Sequence, residues 1–191
     1  MSGTMPSEVL VRTLPTPNPN AIKFIVNCPI KMTGKATFED PAQTKGLKLA
    51  DDLFSVSGVK QLYMFENVVT VTHEEDINFE ELKDNVIAVL KTRLPIHDPN
   101  FVLEEEKKKD RSQLSPEVQK IEEILDNTIR PALQADGGDL EILDYDKEEN
   151  ILEVQYQGAC GSCPSSMFGT LEAIRSILKD EYDPGIEIMI G

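Results

Sequence analysis

Apolar residues fall at every second position in Ile22, Phe24 and Val26, and at every third or fourth in Leu82, Val86, Val89 and Leu90. The first spacing is that of a half-buried strand over 21–26, and the second that of an amphipathic helix over 79–94 with Pro95 as its stop. A looser alternation through Val9 and Val11 predicts a strand over 8–14, ended by Pro15, Pro17 and Pro19 in a stiff, turning connector. Asn27-Cys28-Pro29 breaks the second strand. Leu47, Leu49, Leu53 and Phe54 predict a short helix closed by Ser57-Gly58, and the runs 59–65 and 68–72 predict a hairpin around Glu66-Asn67.

The rhythm lapses after Pro95. Residues 96–114 hold His97-Asp98-Pro99-Asn100 and then a mixed charge block from Glu104 to Arg111 with little apolar periodicity, which reads as a solvated linker. It resumes at Ser115-Pro116, where a hydroxyl can cap free backbone N–H groups and proline takes a position at which no N–H is missed. Val118, Ile121, Leu125 and Ile129 give this helix one apolar face, and Pro131 ends or kinks it. Asp136-Gly137-Gly138-Asp139 marks a turn, and 140–145 and 151–156 read as strands joined by the polar loop 146–150. Pro164 opens another helix through Met167, Leu171, Ile174 and Leu178, and 185–190 supplies a last short strand. The expected architecture is an α/β (α+β) chain of two small domains, 1–95 and 115–191, joined by the charged linker 96–114, with the second domain in the order α-β-β-α-β.

Composition changes this picture little: 40% hydrophobic and 28% charged residues among 191 are ordinary for folded domains. No window approaches the roughly 18 consecutive apolar residues of a membrane helix, so no membrane span is expected. The first twenty residues have neither a secretory apolar core nor the Arg-rich, acid-poor character of a presequence. The expected location is therefore cytoplasmic, or the mitochondrial matrix where a presequence has been removed.

Charge changes it more. Residues 1–95 carry 10 Lys and Arg against 12 Asp and Glu, whereas 116–191 carry 5 against 17, so −12 of the formal −15 sits in the last 76 residues. Such a surface repels phosphate backbones, and nucleic acid is not an expected partner of the second domain.

Three cysteines, Cys28, Cys160 and Cys163, cannot make a fully paired disulfide framework. Gly158-Ala159-Cys160-Gly161-Ser162-Cys163-Pro164-Ser165-Ser166 stands apart, between a strand and the start of a helix. Two cysteines three apart on a turn can point both sulfurs at one centre, and the helix N-terminus favours thiolate, the form that binds metal or attacks a disulfide. Both uses stay open on these residues, beside a third in which the pair is inert. A zinc site or an iron–sulfur cluster commonly takes four protein ligands, and one chain clusters only two cysteines. Cys28, His73 and His97 all lie before the second domain. Two chains meeting at their turns would complete the shell, and a group held that way is lost when the subunits part, which suits hand-off better than permanent redox service.

Residues 115–190, with Ile129-Arg130-Pro131, Ala135-Asp136-Gly137-Gly138-Asp139 and the Cys160 to Cys163 segment, strongly resemble the NifU C-terminal domain of Nfu-type iron–sulfur cluster carriers. Residues 8–94, with Thr16-Pro17-Asn18-Pro19-Asn20-Ala21-Ile22-Lys23-Phe24 and Leu53-Phe54-Ser55-Val56-Ser57-Gly58-Val59, look like the amino-terminal domain of the same proteins, from which the chain departs in having no tryptophan. The resemblance implies a non-enzymatic scaffold or carrier. It implies a [4Fe–4S] cluster, or a [2Fe–2S] one, held by Cys160 and Cys163 of two protomers in a homodimer. It also implies apo iron–sulfur proteins as clients and upstream cluster assembly proteins as donors.

Two rivals use the same cysteines. A thioredoxin-like thiol–disulfide oxidoreductase would carry its motif after the first strand of a βαβ unit, whereas here a hairpin precedes it. A zinc-bridged structural dimer has the same ligand count. The charge distribution yields a test of the dimer: with −12 on each second domain, the metal-free protein is expected to be largely monomeric at low salt and to shift towards dimer as salt screens the repulsion. Sedimentation across a salt series checks this, and a tight metal-free dimer at low salt contradicts it.

Overall fold

The computed structural model describes residues 8–103, 114–162 and 164–191, with the side chains of 162 and 164–168 left aside. The chain divides into two compact units, the first reaching to Leu103. The mixed α/β class expected from the pattern holds in both. Among the described residues no helix is long and apolar enough to cross a membrane.

The first unit is an antiparallel five-stranded sheet in the order β1-β2-β5-β4-β3, formed by β1 (Val11–Pro15), β2 (Ala21–Val26), β3 (Lys31–Phe38), β4 (Val59–Glu66) and β5 (Val68–His73). Two helices, α1 (Lys48–Phe54) and α2 (Phe79–Arg93), pack with it around one core, in which Phe24, Phe38, Leu62, Met64 and Val71 meet Leu49, Leu53, Val86 and Leu90. The period-two residues of β2 and the helical stripe of α2 thus face the same interior. Asn78 caps α2, its side chain accepting from the Glu81 N–H at 3.3 Å, and Lys91 and Arg93 occupy the last turn, where cations oppose the helix dipole. The β4–β5 turn falls at Glu66-Asn67 as the pattern predicts, with Glu66 in the left-handed region at φ 49°.

Strand β3 has no counterpart in the hydrophobic pattern. It begins with a lysine and carries a register shift between Lys31 and Lys35, so the alternation that betrays a strand is interrupted. Lys31 is nevertheless 2% exposed. Its ammonium donates to the Phe101 carbonyl at 2.8 Å and lies 4.5 Å from the centre of the Phe101 ring. The Met32 N–H donates to the Pro99 carbonyl at 2.8 Å, and His97 Nε2 bonds the Ile30 carbonyl at 2.7 Å. Residues 97–103, which the charge pattern assigns to the linker, therefore lie against the first unit, with Phe101 and Leu103 packed on its core. The charged block 104–113 falls outside the described residues.

The second unit opens with α3 (Pro116–Thr128), capped by Ser115, whose hydroxyl accepts from the Val118 N–H at 3.3 Å. Pro131 does not end the helical run but splits it, since the chain re-enters as α4 (Arg130–Ala135). Strands β6 (Gly138–Asp146) and β7 (Ile151–Gly158) form the predicted hairpin, α5 (Pro164–Glu181) crosses over, and β8 (Glu187–Ile190) returns parallel to β7. Parallel strands cannot be joined by a tight turn, and α5 supplies the long connection between β7 and β8. The core joins Ile121 and Leu125 of α3 to Leu140, Leu152, Val154 and Tyr156 of the sheet and to Ile174 and Leu178 of α5.

A buried ion network ties the helical entry to the sheet. The Arg130 side chain, 6% exposed, pairs with Glu122 at 2.5 Å, with Asp126, and with Asp139 at 3.4 Å. Burial opposes the guanidinium's charge, but the bonds and charges of Glu122, Asp126 and Asp139 more than offset it and raise its pKa above the ordinary value. Asp139 also accepts from the Leu140 N–H at 2.7 Å and from the Gln134 side chain at 3.3 Å. α3, α4 and the first residues of β6 are thereby locked together. Replacing Arg130→Ala leaves a carboxylate that is 2% exposed without its counter-charge, and is expected to destabilise the second unit by about 3–5 kcal/mol. Arg130→Lys, which keeps a charge without the planar fork, should lose less. Urea unfolding followed by tyrosine fluorescence measures both, because Tyr145, Tyr156 and Tyr182, three of the four tyrosines, lie in this unit.

Candidate functional site

β7 ends at Gly158 with φ 64°, a conformation that side-chain-bearing residues rarely adopt, and the chain then folds through a 3-10 turn, Ala159–Ser162, into α5. Cys160 sits on that turn, 8% exposed, in the core cluster of the second unit. The turn is anchored from below: Gly158 pairs with Gly138 at the end of the β6–β7 ladder, and the Ala159 N–H donates to the Gly137 carbonyl at 3.2 Å. The Asp136-Gly137-Gly138-Asp139 segment is therefore more than a connector. It forms the underside of the cysteine turn, and Arg130 holds its far end through Asp139.

Cys163, the second member of the predicted pair, lies outside the described residues. The remaining cysteine and both histidines lie in the first unit. Cys28 is 3% exposed within that unit's core, and burial pushes its thiol pKa up, away from the thiolate a metal prefers. His73 Nδ1 bonds the Glu74 carbonyl at 2.7 Å. His97 is bound to Ile30, and burial lowers its pKa. Among the described residues, no group of three or more His, Cys, Asp or Glu is placed to hold a metal ion.

One neighbour of Cys160 went unremarked in the sequence. Tyr156, read there as an ordinary strand residue, is 4% exposed in the same core cluster. Burial first, and then the negative charge of Cys160, pushes its pKa up to about 12. Its position four residues before a cysteine, on the inward face of the strand, was the available signal.

Two family models match the chain in succession. The model described as scaffold protein Nfu/NifU N terminal matches residues 11–96, and the NifU-like domain model matches residues 121–189. The protein named NFU1 iron-sulfur cluster scaffold homolog, mitochondrial, of Homo sapiens is 34% identical over 181 residues, covering 94% of this chain and 70% of that one. NifU-like protein 4, mitochondrial, of Arabidopsis thaliana is 31% identical over 174 residues, 89% of this chain. The chain spans 62% of that relative's length and 63% of the length of NifU-like protein 5, mitochondrial, of the same plant. The solution NMR structure of a NifU-like protein from Saccharomyces cerevisiae aligns with a TM-score of 0.44 at 23% identity, covering 50% of this chain and 87% of that chain. With both domain models matched in succession along one polypeptide, and more than two thirds of the human relative covered at 34% identity, the chain belongs to the Nfu/NifU-like family.

Proposed function

We propose that this protein is an iron–sulfur cluster scaffold or carrier that holds a [4Fe–4S] cluster on Cys160 and Cys163 of two protomers and passes it to apo iron–sulfur proteins. The observation that carries the reading is Cys160 itself: a cysteine on the strand-to-helix turn of the NifU-like domain, braced by the β6–β7 ladder and three residues before a second cysteine. The fully buried Cys28 and the two bonded histidines leave the cysteine turn as the place where thiolate ligation is most readily built.

The chemistry follows from the ligand count. Each chain brings two sulfurs to a cargo that takes four, so the cluster bonds themselves join the subunits and are broken when the subunits separate. Loading then stabilises the dimer by mass action, and an acceptor offering its own thiolates draws the cluster off by ligand exchange. The protein catalyses no bond change in a small substrate, and its work is binding and release. Upstream assembly proteins act as donors, and the compartment is the mitochondrial one that the relatives' names carry.

Anaerobic reconstitution of wild type, Cys160→Ser and Cys163→Ser tests this, with visible absorption, iron and acid-labile sulfide per chain, and oligomeric state read together. Wild type is expected to form a coloured dimer with about four irons per pair of chains, and each serine variant to stay colourless and smaller. A single-subunit preparation that retains full iron and sulfide without small external thiols would overturn the shared site. Stoichiometric zinc without sulfide would point instead to the structural dimer.

A further inference from the structure

The cysteine turn rests on a glycine whose role its backbone does not explain. Gly137 and Gly158, on either side of the site, have φ of 85° and 64°, but Gly138 is not among the residues at positive φ, so its conformation is open to any L-residue. What forbids a side chain there is contact. A Cβ added at position 138 would lie 2.5 Å from Cys160 Sγ, 3.0 Å from Cys160 Cβ and 2.7 Å from the Gln157 carbonyl oxygen. Non-bonded heavy atoms are at ease at about 3.5–4.0 Å, so each of these is a collision.

We propose that Gly138 is a positioning residue for Cys160: the space left by its missing side chain is the seat of the thiol, and the ion network behind it keeps that seat in place. The surroundings show which group would yield if the space were filled. The backbone side of the seat is held by the β6–β7 ladder, with Gly138 opposite Gly158 and Asp139 opposite Gln157. The next residue, Asp139, is fixed through Arg130 and Gln134, and the carbonyl of Gly137 holds the Ala159 N–H. Of the three colliding atoms, only Cys160 Sγ can swing away by side-chain rotation, whereas Cys160 Cβ and the Gln157 carbonyl oxygen move only with their backbone. A methyl group at 138 therefore drives the sulfur out of its seat and presses on the last rungs of the ladder at Gln157. The effect on cluster uptake rests on Cys160 being a cluster ligand, whereas the contact itself does not.

The test separates the two. In the full chain carrying Cys28→Ala and Cys163→Ser, Cys160 is the sole thiol, and its rate of alkylation by iodoacetamide reads its shielding. Adding Gly138→Ala should raise that rate about tenfold, the factor expected when one forced methyl group strains a packed site. Gly169→Ala, whose added Cβ meets nothing within 4 Å, should leave it unchanged. An unchanged rate in a folded Gly138→Ala chain, or an equal rise with Gly169→Ala, overturns the proposal. If Gly138→Ala lowers the melting temperature too far for this reading, the same substitution in a Cys160→Gly chain decides. Two of the three collisions are then gone, so the drop should be smaller, and an equal drop rejects the thiol seat. In the otherwise unaltered chain, Gly138→Ala should bind less iron and sulfide than wild type at an unchanged circular dichroism spectrum. If wild type takes up no cluster, the proposed function fails while the alkylation result still judges the seat.

Discussion

The last rung of the β6–β7 ladder, Gly138 opposite Gly158, is the constraint on which the site depends. Two turns leave the sheet at that rung, one running back to α4 and the other forward to α5. Glycine on both strands lets the turns approach closely enough for the Ala159 N–H to reach the Gly137 carbonyl and for the Cys160 thiol to lie over bare backbone. Side chains at this rung would hold the turns apart. The Arg130 network makes the arrangement rigid by fixing Asp139, the next residue along β6, to α3 and α4. A charged group this deeply buried is weak evidence of extra stability, because its desolvation cancels much of the attraction, but it does specify where the attached elements sit.

Much of this was legible before any coordinates. Strands and helices with an uninterrupted period, such as β2, α2 and α3, stand where their apolar residues put them, because one face of each is buried against one core. Local chemistry was readable too: the Ser115 cap, the Glu66-Asn67 turn and the break at Pro131 depend on neighbours in sequence. Two things were not. β3 and residues 97–103 hold each other through Lys31, whose buried ammonium is satisfied by Phe101, 70 residues away in sequence. A lysine counted as a solvent-facing charge misleads when a distant carbonyl and ring receive it. Tyr156 and Gly138 escaped notice for a related reason, since their nearness to Cys160 is created by strand pairing and is invisible to spacing along the chain. The candidate pair Cys160 and Cys163 could be picked out of the sequence, but the contacts around Cys160 could not.

The two units divide the protein's physical character unevenly. Nearly all the net negative charge belongs to the second, whereas the first is close to neutral and carries its buried cations, Lys23 and Lys31, inside a larger core. A net negative second unit repels a second copy of itself and attracts basic surfaces, so on the proposed reading it works against assembly of the dimer and in favour of encounter with clients.

On the proposed reading, rigidity at Cys160 and impermanence of the dimer are compatible because they reside in different bonds. The position of the sulfur is set within one chain by the ladder, the glycine contact and the ion network, none of which changes when a partner leaves. The pairing of subunits, on the proposed reading, is set by the metal–sulfur bonds and is lost with them. If the half-site had to be ordered afresh at every exchange, that ordering would weaken each capture, since immobilising a side chain costs about 0.5–1.5 kcal/mol. A thiol already seated avoids this cost. Preorganisation in each protomer thus lets the shared site be weak enough to dissolve and still quick to re-form.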